Sequence, residues 1–296
     1  MIRIAFIGLG NMGAGMAANQ AKAGNTVKAF DLSQAALDRA VAEGCIAAPS
    51  VVEAVRDAEL VITMLPAGAH VRVVYGDIIG TAPTSALLVD CSTIEVEIAR
   101  EVAAKAKSAG YRFADAPVSG GTAAAAAGSL AFMVGCDDAD FADVEAALKP
   151  MSRVTIRAGN HGAGQAAKIC NNMVLGISML AVCEAFGLAD KLGLDAARFF
   201  DIASQSSGQC WSLTSYCPVP GVGPASPADR GFEGGFATAM MLKDLNLARA
   251  AARSVGADTP MGAEAQGLYQ KFSDAGFAGK DFSAVIKMLE GRTDEL

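Results

Sequence analysis

Residues 3–31 read RIAFIGLGNMGAGMAANQAKAGNTVKAFD, and the organisation of the first half of the chain follows from them. The apolar run Arg3–Ile7 predicts a strand, and residues 14–23 predict a helix. Between them lies a GxGxxG turn, the pattern that binds a dinucleotide when it joins a strand to a helix. The stretch therefore predicts a Rossmann-like α/β domain at the start of the chain.

Each glycine of this turn has a predicted role. The first permits the tight bend, the second lets a pyrophosphate approach the backbone, and the third lets strand and helix pack closely. Exposed amides at the start of the helix would bind the phosphates. The cofactor-binding candidates in the turn are Gly8, Leu9, Gly10, Asn11, Met12 and Gly13.

An acidic residue stands where the adenosine ribose of a dinucleotide is expected. A second predicted strand, Thr26–Phe30, ends at Asp31, which is 18 residues after Gly13. Such an acid hydrogen-bonds the ribose hydroxyls and would repel the 2′-phosphate of NADP, so the sequence predicts NAD as cofactor. A structural glycine turn with a capping aspartate is the weaker alternative in this context.

Strands and helices alternate through the rest of the first half. Loops at the carboxyl ends of parallel strands line the ligand crevice of such sheets, so Leu65, Pro66 and Thr93 become candidates for cofactor contacts. Ordinary strand-end and capping chemistry explains these three residues almost equally well. The further strands are predicted over residues 60–65, 87–90, 111–115, 130–134 and 153–156, and helices over 34–42, 51–56, 95–109 and 138–148.

The stretch DAPVSGGT at residues 115–122 follows one of these predicted strands. Its proline fixes the exit of the chain, and its glycines free consecutive amides to point at one spot. Successive amides form an anion-binding concavity, which a small carboxylate would suit. A plain loop before the alanine-rich segment is the alternative that composition alone leaves open. The candidate substrate-binding residues here are Ser119, Gly120, Gly121 and Thr122.

A long apolar run at residues 164–193, GQAAKICNNMVLGISMLAVCEAFGLADKLG, predicts one buried helix. Only helical patterns follow it. We therefore expect a Rossmann-like domain over residues 1–162 and an all-helical domain over residues 163–296, joined by this helix. Lys168, Asn171, Asn172 and Glu184 interrupt the run and disfavour a membrane span.

Lys168 and Asn172 form the candidate catalytic pair, since they lie one turn apart on the same helix face. A lysine near a helix N-terminus meets the unfavourable end of the macrodipole and, if desolvated, holds its proton less tightly than a free amine. Such a group can exchange a proton with a substrate. The alternative, which is the commoner arrangement, is a lysine whose stem packs while its ammonium reaches water.

The second half of the chain contains three further candidates. Residues 217–235 include four prolines and five glycines, which predicts a long irregular loop that covers a site. Trp211 and Phe232 would cover an apolar pocket there, although two aromatic residues packed in a core is the commoner outcome. Lys243 has apolar neighbours in a helix predicted over residues 237–255, where it serves either a cleft or the solvated edge of an amphipathic helix.

Composition limits the possible partners. The 296-residue chain is 52% hydrophobic with a net charge of −7 and no basic cluster, so we expect neither a nucleic-acid nor a membrane partner. From seven scattered cysteines we expect reduced thiols and a cytoplasmic protein. Because a predicted strand begins at Arg3, we expect no targeting segment before it. The two histidines, His70 and His161, are too distant in sequence to predict a metal site.

Four stretches, GLGNMGAGMA, DAPVSGGTAAAAAGSL, GAGQAAKICNN and MLKDLNLA, together resemble the signature stretches of the β-hydroxyacid dehydrogenase family in order and separation. The resemblance covers nearly the whole chain. It implies an NAD-dependent oxidoreductase that acts on a small 3-hydroxy acid and assembles as a homo-oligomer, either a dimer or a tetramer. The roles it implies are catalysis for Lys168, hydrogen bonding beside it for Asn172, carboxylate binding for Ser119, Gly120 and Gly121, and contact with the nicotinamide side for Lys243.

Within the family, SSGQCWS at residues 206–212 and the proline-rich loop are most similar to members that oxidise 3-hydroxyisobutyrate to methylmalonate semialdehyde in valine catabolism. The alternatives are members that act on tartronate semialdehyde, L-serine or 3-hydroxypropionate. From another class, a non-catalytic nucleotide-binding module is disfavoured because such relatives lack the lysine. A 6-phosphogluconate enzyme is disfavoured because such chains are much longer, and a short-chain dehydrogenase because no tyrosine is followed four residues later by lysine.

Overall fold

A computed structural model describes residues 1–296, and the chain divides into two compact units, Met1–Lys168 and Ile169–Leu296. The division falls inside the long helix, a few residues after the domain boundary predicted at residue 162. The first unit is an α/β domain and the second is helical, so the predicted fold class is confirmed.

The first unit is built on one nine-stranded sheet with the strand order β3-β2-β1-β4-β5-β6-β8-β7, and β9 pairs with β8. Strands β1 to β6 are parallel, whereas β8 runs antiparallel to β6 and β7 and parallel to β9. The strands are β1 (Arg3–Ile7), β2 (Thr26–Phe30), β3 (Ile46–Ala47), β4 (Leu60–Thr63), β5 (Leu87–Asp90), β6 (Arg112–Asp115), β7 (Val118–Ser119), β8 (Leu130–Gly135) and β9 (Ser152–Gly159).

Helices cover both faces of this sheet. Side chains of β1 alternate between the two sides, because Ile4 and Phe6 join one apolar cluster while Ala5 and Ile7 join the other. Burial on both faces explains why the central strands are continuously apolar. The helices are α1 (Gly13–Lys22), α2 (Gln34–Ala42), α3 (Val51–Val55), α4 (Gly68–Ile78), α5 (Val96–Ser108), α6 (Gly121–Ala127) and α7 (Phe141–Leu148).

Several elements of the first unit were not predicted from the sequence, among them the short strand β3 (Ile46–Ala47). No element was predicted between Pro66 and Leu87, but α4 occupies most of that stretch. Its buried residues Val71, Tyr75 and Ile78 are spaced as on one face of a helix. The sequence therefore contained a helical pattern, although β-branched residues in the same stretch favour a strand. The stretch 115–122, predicted as an anion-binding loop, contains the short strand β7 and the start of α6.

The second unit packs around the long helix α8 (Ala163–Lys191). Its core combines apolar residues of α8, such as Met179 and Phe186, with Tyr269, Phe272 and Phe282. Residues 217–235 contain no α-helix or strand and only the 3-10 turn Pro227–Arg230, as their composition predicted. The other helices are α9 (Ala196–Ser204), α10 (Trp211–Thr214), α11 (Thr238–Ser254), α12 (Pro260–Phe272) and α13 (Val285–Leu289).

The prediction that α8 is buried on all sides is wrong. Val174 and Leu188 are 63% and 61% exposed, because the core of the second unit covers only one face of the helix. By length and composition alone α8 is the one helix of the chain that could span a membrane. Core helices of soluble proteins meet the same criterion, and Met179, Cys183 and Phe186 of α8 are buried in the protein core.

Candidate active site

The glycine turn after β1 has the shape that a dinucleotide requires. Gly8 has a φ of +97°, and a side chain there would collide with the Met64 carbonyl oxygen. A side chain on Gly13 would collide with the Gly8 carbonyl oxygen. The start of α1 can therefore pack this closely against the turn only because residue 13 is a glycine. A Cβ on Gly10 would meet no atom within 4 Å, which leaves its backbone open to a ligand. The first and third glycines close the turn, and the second leaves room for a pyrophosphate.

Beside this turn is a cleft of about 440 Å³, at the position where the adenosine half of a dinucleotide is expected. Asp31 stabilises the backbone that lines this cleft. One of its carboxylate oxygens accepts the Leu9 amide at 2.6 Å, and the other accepts the Ser33 amide at 2.8 Å. A carboxylate has about four acceptor positions, so Asp31 retains capacity for ribose hydroxyls. The lining residues are Leu9, Gly10, Asn11, Ala14, Asp31, Ser33, Ala36 and Arg39.

Helix α1 links the cofactor turn to the substrate-binding candidates. No side chain caps its first turn, although the Ala14 amide donates to the Gly10 carbonyl oxygen at 3.1 Å, and an uncapped helix start favours phosphate groups. A Cβ on Gly15 would lie 2.9 Å from backbone atoms of Ala125 and Ala126, and the Asn19 side-chain amide donates to the Ala125 carbonyl oxygen at 2.8 Å. Close packing with α6 therefore fixes the loop that precedes α6 relative to the cofactor turn.

A buried carboxylate that sequence reasoning missed joins the loops after β4 and β5. Asp90 accepts hydrogen bonds from the hydroxyls of Thr63 and Ser92, both at 2.6 Å. The Ser92 hydroxyl in turn accepts the Leu65 amide at 2.8 Å. The loops that carry the candidates Leu65 and Thr93 are thereby tied together, with Thr93 half-buried and the neighbouring Pro66 exposed.

The candidate substrate loop turns sharply at its two glycines. Gly120 and Gly121 have φ values of +136° and +70°, which favour glycine. A Cβ on Gly120 would lie 2.6 Å from the Ala124 side chain. Ser119 and Gly121 are half-buried, while Gly120 and Thr122 are exposed. This backbone is compatible with consecutive amides directed at one anion.

Helix α8 carries both members of the candidate catalytic pair, and both are buried. Lys168 is 7% exposed and Asn172 is 2% exposed, so the lysine does not project into bulk water. The Asn172 side-chain amide donates to an Asp244 carboxylate oxygen at 2.5 Å, and its carbonyl oxygen accepts the Asn171 amide at 3.0 Å. Asp244 thus fixes which way the Asn172 amide points.

Asp244 was not among the predicted site residues, although its neighbour Lys243 was. Both lie on α11, where Asp244 is buried and Lys243 is half-buried. A carboxylate inside an apolar helical pattern is itself a signal, because ionised groups are buried only with partners.

Asp115 is a third buried carboxylate that sequence reasoning did not single out. It ends β6 and accepts the Gly162 amide at 2.6 Å and the Gln165 amide at 3.0 Å, both at the start of α8. Burial, with a smaller contribution from Asp90, raises the pKa of Asp115 to about 6, while the two amides oppose that rise.

The two aromatic candidates have different environments. Trp211 is 52% exposed and stacks on Tyr216 with ring centroids 4.9 Å apart. The Tyr216 hydroxyl donates to Asp281 at 2.8 Å, which fixes that stack. Phe232 is 2% exposed and packs in the apolar core of the second unit. Of the two predicted covering residues, only Trp211 therefore presents an open ring.

Comparison with known protein families matches both halves of the chain. Residues 3–160 match the model described as the NAD binding domain of 6-phosphogluconate dehydrogenase. Residues 162–289 match the model described as NAD-binding of NADP-dependent 3-hydroxyisobutyrate dehydrogenase. Together the two models span nearly the whole chain.

Relatives with assigned names are similar to this chain over their full length. The chain is 48% identical to the 3-hydroxyisobutyrate dehydrogenase of Pseudomonas aeruginosa, over 99% of this chain and 100% of that protein. It is 45% identical to the NAD-dependent L-serine dehydrogenase of the same organism, over 98% of each. A solved structure of Mycobacterium tuberculosis 3-hydroxyisobutyrate dehydrogenase with L-serine is 49% identical, with a TM-score of 0.95 over 98% of this chain and 99% of that one.

Proposed function

The chain belongs to the β-hydroxyacid dehydrogenase family, and from this premise we propose that it oxidises 3-hydroxyisobutyrate to methylmalonate semialdehyde with NAD, a step of valine catabolism. It is an oxidoreductase with a nicotinamide dinucleotide as cofactor. The observation that carries the proposal is the buried Lys168, which lies on a helix anchored at the end of β6. The same strand end leads directly into the loop at Ser119.

In the proposed reaction the chain's own residues bind the acid and move one proton. The backbone amides of Ser119, Gly120 and Gly121 hold the substrate carboxylate. The Lys168 amine accepts the hydroxyl proton while the carbinol C–H bond breaks and the C–O bond becomes a carbonyl. A bound nicotinamide supplies the hydride acceptor. In the reverse direction the protonated Lys168 returns its proton to the aldehyde oxygen.

Neighbouring residues orient these groups. Asp244 fixes the Asn172 amide, which lies one turn from Lys168 and is available to hydrogen-bond the reacting oxygen or the lysine. Lys243 would contact the nicotinamide side, and Trp211 would shield the substrate from water.

A second candidate substrate is L-serine, which is favoured by the similarity to an NAD-dependent L-serine dehydrogenase and to a structure solved with L-serine. L-Serine and 3-hydroxyisobutyrate share a carboxylate and a primary alcohol. They differ at the central carbon, which carries an ammonium in one and a methyl group in the other. The proposed roles of Ser119 and Lys168 apply equally to both.

We expect 3-hydroxyisobutyrate to give the highest kcat/KM in a panel with L-serine, 3-hydroxypropionate and glycerate, assayed with NAD and NADP in parallel. An uncharged methyl group avoids the desolvation that an ammonium requires. A higher kcat/KM for L-serine would establish the second candidate, and turnover of glycerate alone would favour a tartronate semialdehyde reductase. Cofactor binding without any turnover would reject the enzyme assignment.

Lys168→Ala should lower kcat by about 10²- to 10⁴-fold, the usual contribution of a positioned acid–base group, with NAD binding retained. Steady-state kinetics and calorimetric titration of NAD would measure the two effects. Lys191→Ala is the matched control, because Lys191 is an exposed lysine at the other end of the same helix. Unchanged turnover in Lys168→Ala would remove the lysine from the mechanism.

The proposed preference for NAD is supported by the charges in the cofactor cleft. Asp31 holds the Leu9 and Ser33 amides and places its negative charge beside the expected ribose. Arg39 is the only basic residue that lines the same cleft. A ribose phosphate would be repelled by the Asp31 carboxylate, and Arg39 alone would attract it.

Asp31→Asn should therefore narrow the preference for NAD over NADP by roughly tenfold or more, since it removes the repulsion and retains an acceptor oxygen. The double variant Asp31→Asn/Arg39→Ala should lose the gained activity with NADP, because no cation then remains in the cleft. The measurement is kcat/KM for each cofactor at fixed ionic strength. An unchanged ratio in Asp31→Asn would contradict the proposed role of its charge.

We also propose that the enzyme is a homo-oligomer and that one face of α8 meets a second copy of the chain. Val174, Ala181 and Leu188 are spaced by seven residues, so they lie on one exposed face of the helix. Reversal about Ala181 exchanges Val174 with Leu188, which suits an antiparallel contact across a two-fold axis. The small Ala181 side chain at the crossing point lets the two helices approach.

Light scattering should give a mass at least twice that of one chain, and Ala181→Arg should halve that mass because two charges would meet at the axis. Val73→Arg is the control, since Val73 is a 70% exposed apolar residue on α4 of the first unit. A monomeric parent protein would contradict the proposed assembly. A folded Ala181→Arg variant of unchanged mass would contradict the proposed interface.

A further inference from the structure

The start of α8 is held by a strand that is distant in sequence. The carboxylate oxygens of Asp115 accept the Gly162 and Gln165 amides, which are 47 and 50 residues further along the chain. Helix starts are usually capped by a side chain one to three residues away. Here the capping carboxylate comes from the end of β6, so it fixes the helix relative to the sheet.

Two glycines make room for this carboxylate. A Cβ on Gly164 would lie 2.8 Å from an Asp115 carboxylate oxygen and would collide with the Met133 carbonyl oxygen. A Cβ on Gly135, at the end of β8, would meet the same carboxylate. Strand β8 and the first turn of α8 can approach Asp115 this closely only because both positions lack a side chain.

The Gln165 side chain provides a second anchor for the same helical turn. Its carbonyl oxygen accepts the Ile94 amide at 3.1 Å, and its amide donates to the Ser92 carbonyl oxygen at 2.7 Å. The anchored segment is the loop after β5 that contains Thr93. The first turn of α8 is therefore held at the ends of two neighbouring strands, β5 and β6.

Lys168 follows this anchored turn directly. It lies three residues after Gln165 and four after Gly164, so its side chain lies on the same side of the helix as these two residues. A small rotation or shift of the first turn would displace the Lys168 amine. Displacement of a reacting group by about 1 Å can cost a factor of 10² in rate.

We propose that Asp115 is a positioning residue of the reaction, which fixes the first turn of α8 with the help of Gln165 and so places the Lys168 amine relative to the substrate loop at Ser119. The inference rests on the function proposed above, because it acts through Lys168. Asp115 suits this role because it is the last residue of β6 and Ser119 follows it by only four residues. The residue that holds the start of α8 is therefore also close in sequence to the substrate loop.

The test is a double-mutant cycle on kcat with Asp115→Asn and Lys168→Ala. Asparagine has the size of aspartate, but its side-chain NH₂ group would face one of the two backbone amides, so the first turn loses one anchor. Asp115→Asn alone should lower kcat by about 10- to 100-fold. In the Lys168→Ala background the same change should lower the residual kcat by less than about twofold, since no amine remains to be displaced.

Two further measurements separate positioning from general damage. The Kd of NAD for Asp115→Asn should stay within about twofold of the parent value, because the glycine turn and Asp31 are not in contact with Asp115. Urea unfolding reports whether the variant is folded. If Asp115→Asn does not unfold cooperatively, Gln165→Met serves in its place, since it removes both side-chain anchors at similar volume and should show the same dependence on Lys168.

The outcomes are distinguishable. Equal loss of kcat in both backgrounds, or full kcat in folded Asp115→Asn, would overturn the positioning role while the lysine assignment stands. Unchanged kcat in Lys168→Ala would instead reject the proposed chemistry, whatever the effect of Asp115.

Discussion

The arrangement of the first unit depends on the hydrogen bonds that the Asp115 carboxylate accepts from the start of α8. A buried carboxylate is stable only when hydrogen bonds compensate for the water it has lost, and two amides at the start of α8 donate to Asp115. The end of β6, the end of β8 and the first turn of α8 are therefore required to meet at one point. Gly135 and Gly164 allow that meeting, and the exit of β6 then carries the chain into the substrate loop.

Carboxylates at the ends of parallel strands recur as the means of holding loops. Asp31 after β2 accepts the amides of Leu9 and Ser33, and Asp90 at the end of β5 accepts the hydroxyls of Thr63 and Ser92. Asp115 does the same for a helix start. Ligands bind at this edge of α/β sheets, so the loops there need fixed positions but open backbones. A side-chain carboxylate fixes the position of a loop and leaves the other backbone groups of that loop free to bind a ligand.

Local patterns in the sequence predicted the sheet well. The bounds of β1, β2 and β5 agree with the prediction because each strand is a short apolar run that ends at a glycine or an aspartate. Helix α4 was missed because its valines resemble a strand, although Val71, Tyr75 and Ile78 share a buried helical face. The exposed face of α8 was also missed, because composition shows that a face is apolar but not whether another element covers it.

The parts of the site formed by residues close together in sequence could be predicted. The parts that depend on contacts between residues distant in sequence could not. The glycine turn, Asp31 and the Lys168–Asn172 spacing can be read along the chain. The partners of Asp115 and Asn172 lie about 50 and 72 residues away. The sequence marks Asp244 as a carboxylate in an apolar helix, but only the folded chain shows which residues Asp115 and Asp244 hold.

The anchor at Asp115 also limits how modular this chain can be. A fragment that ended near residue 160 would contain every glycine of the cofactor turn and the complete sheet, yet its buried carboxylate would lack both amides. Leaving buried hydrogen-bonding groups unsatisfied costs on the order of 1–3 kcal/mol each, and more for a charged group. A gene fusion or domain exchange would therefore have to include the first turns of α8 with the sheet. The segment that must be transferred as a folded dinucleotide-binding domain thus extends past the last strand.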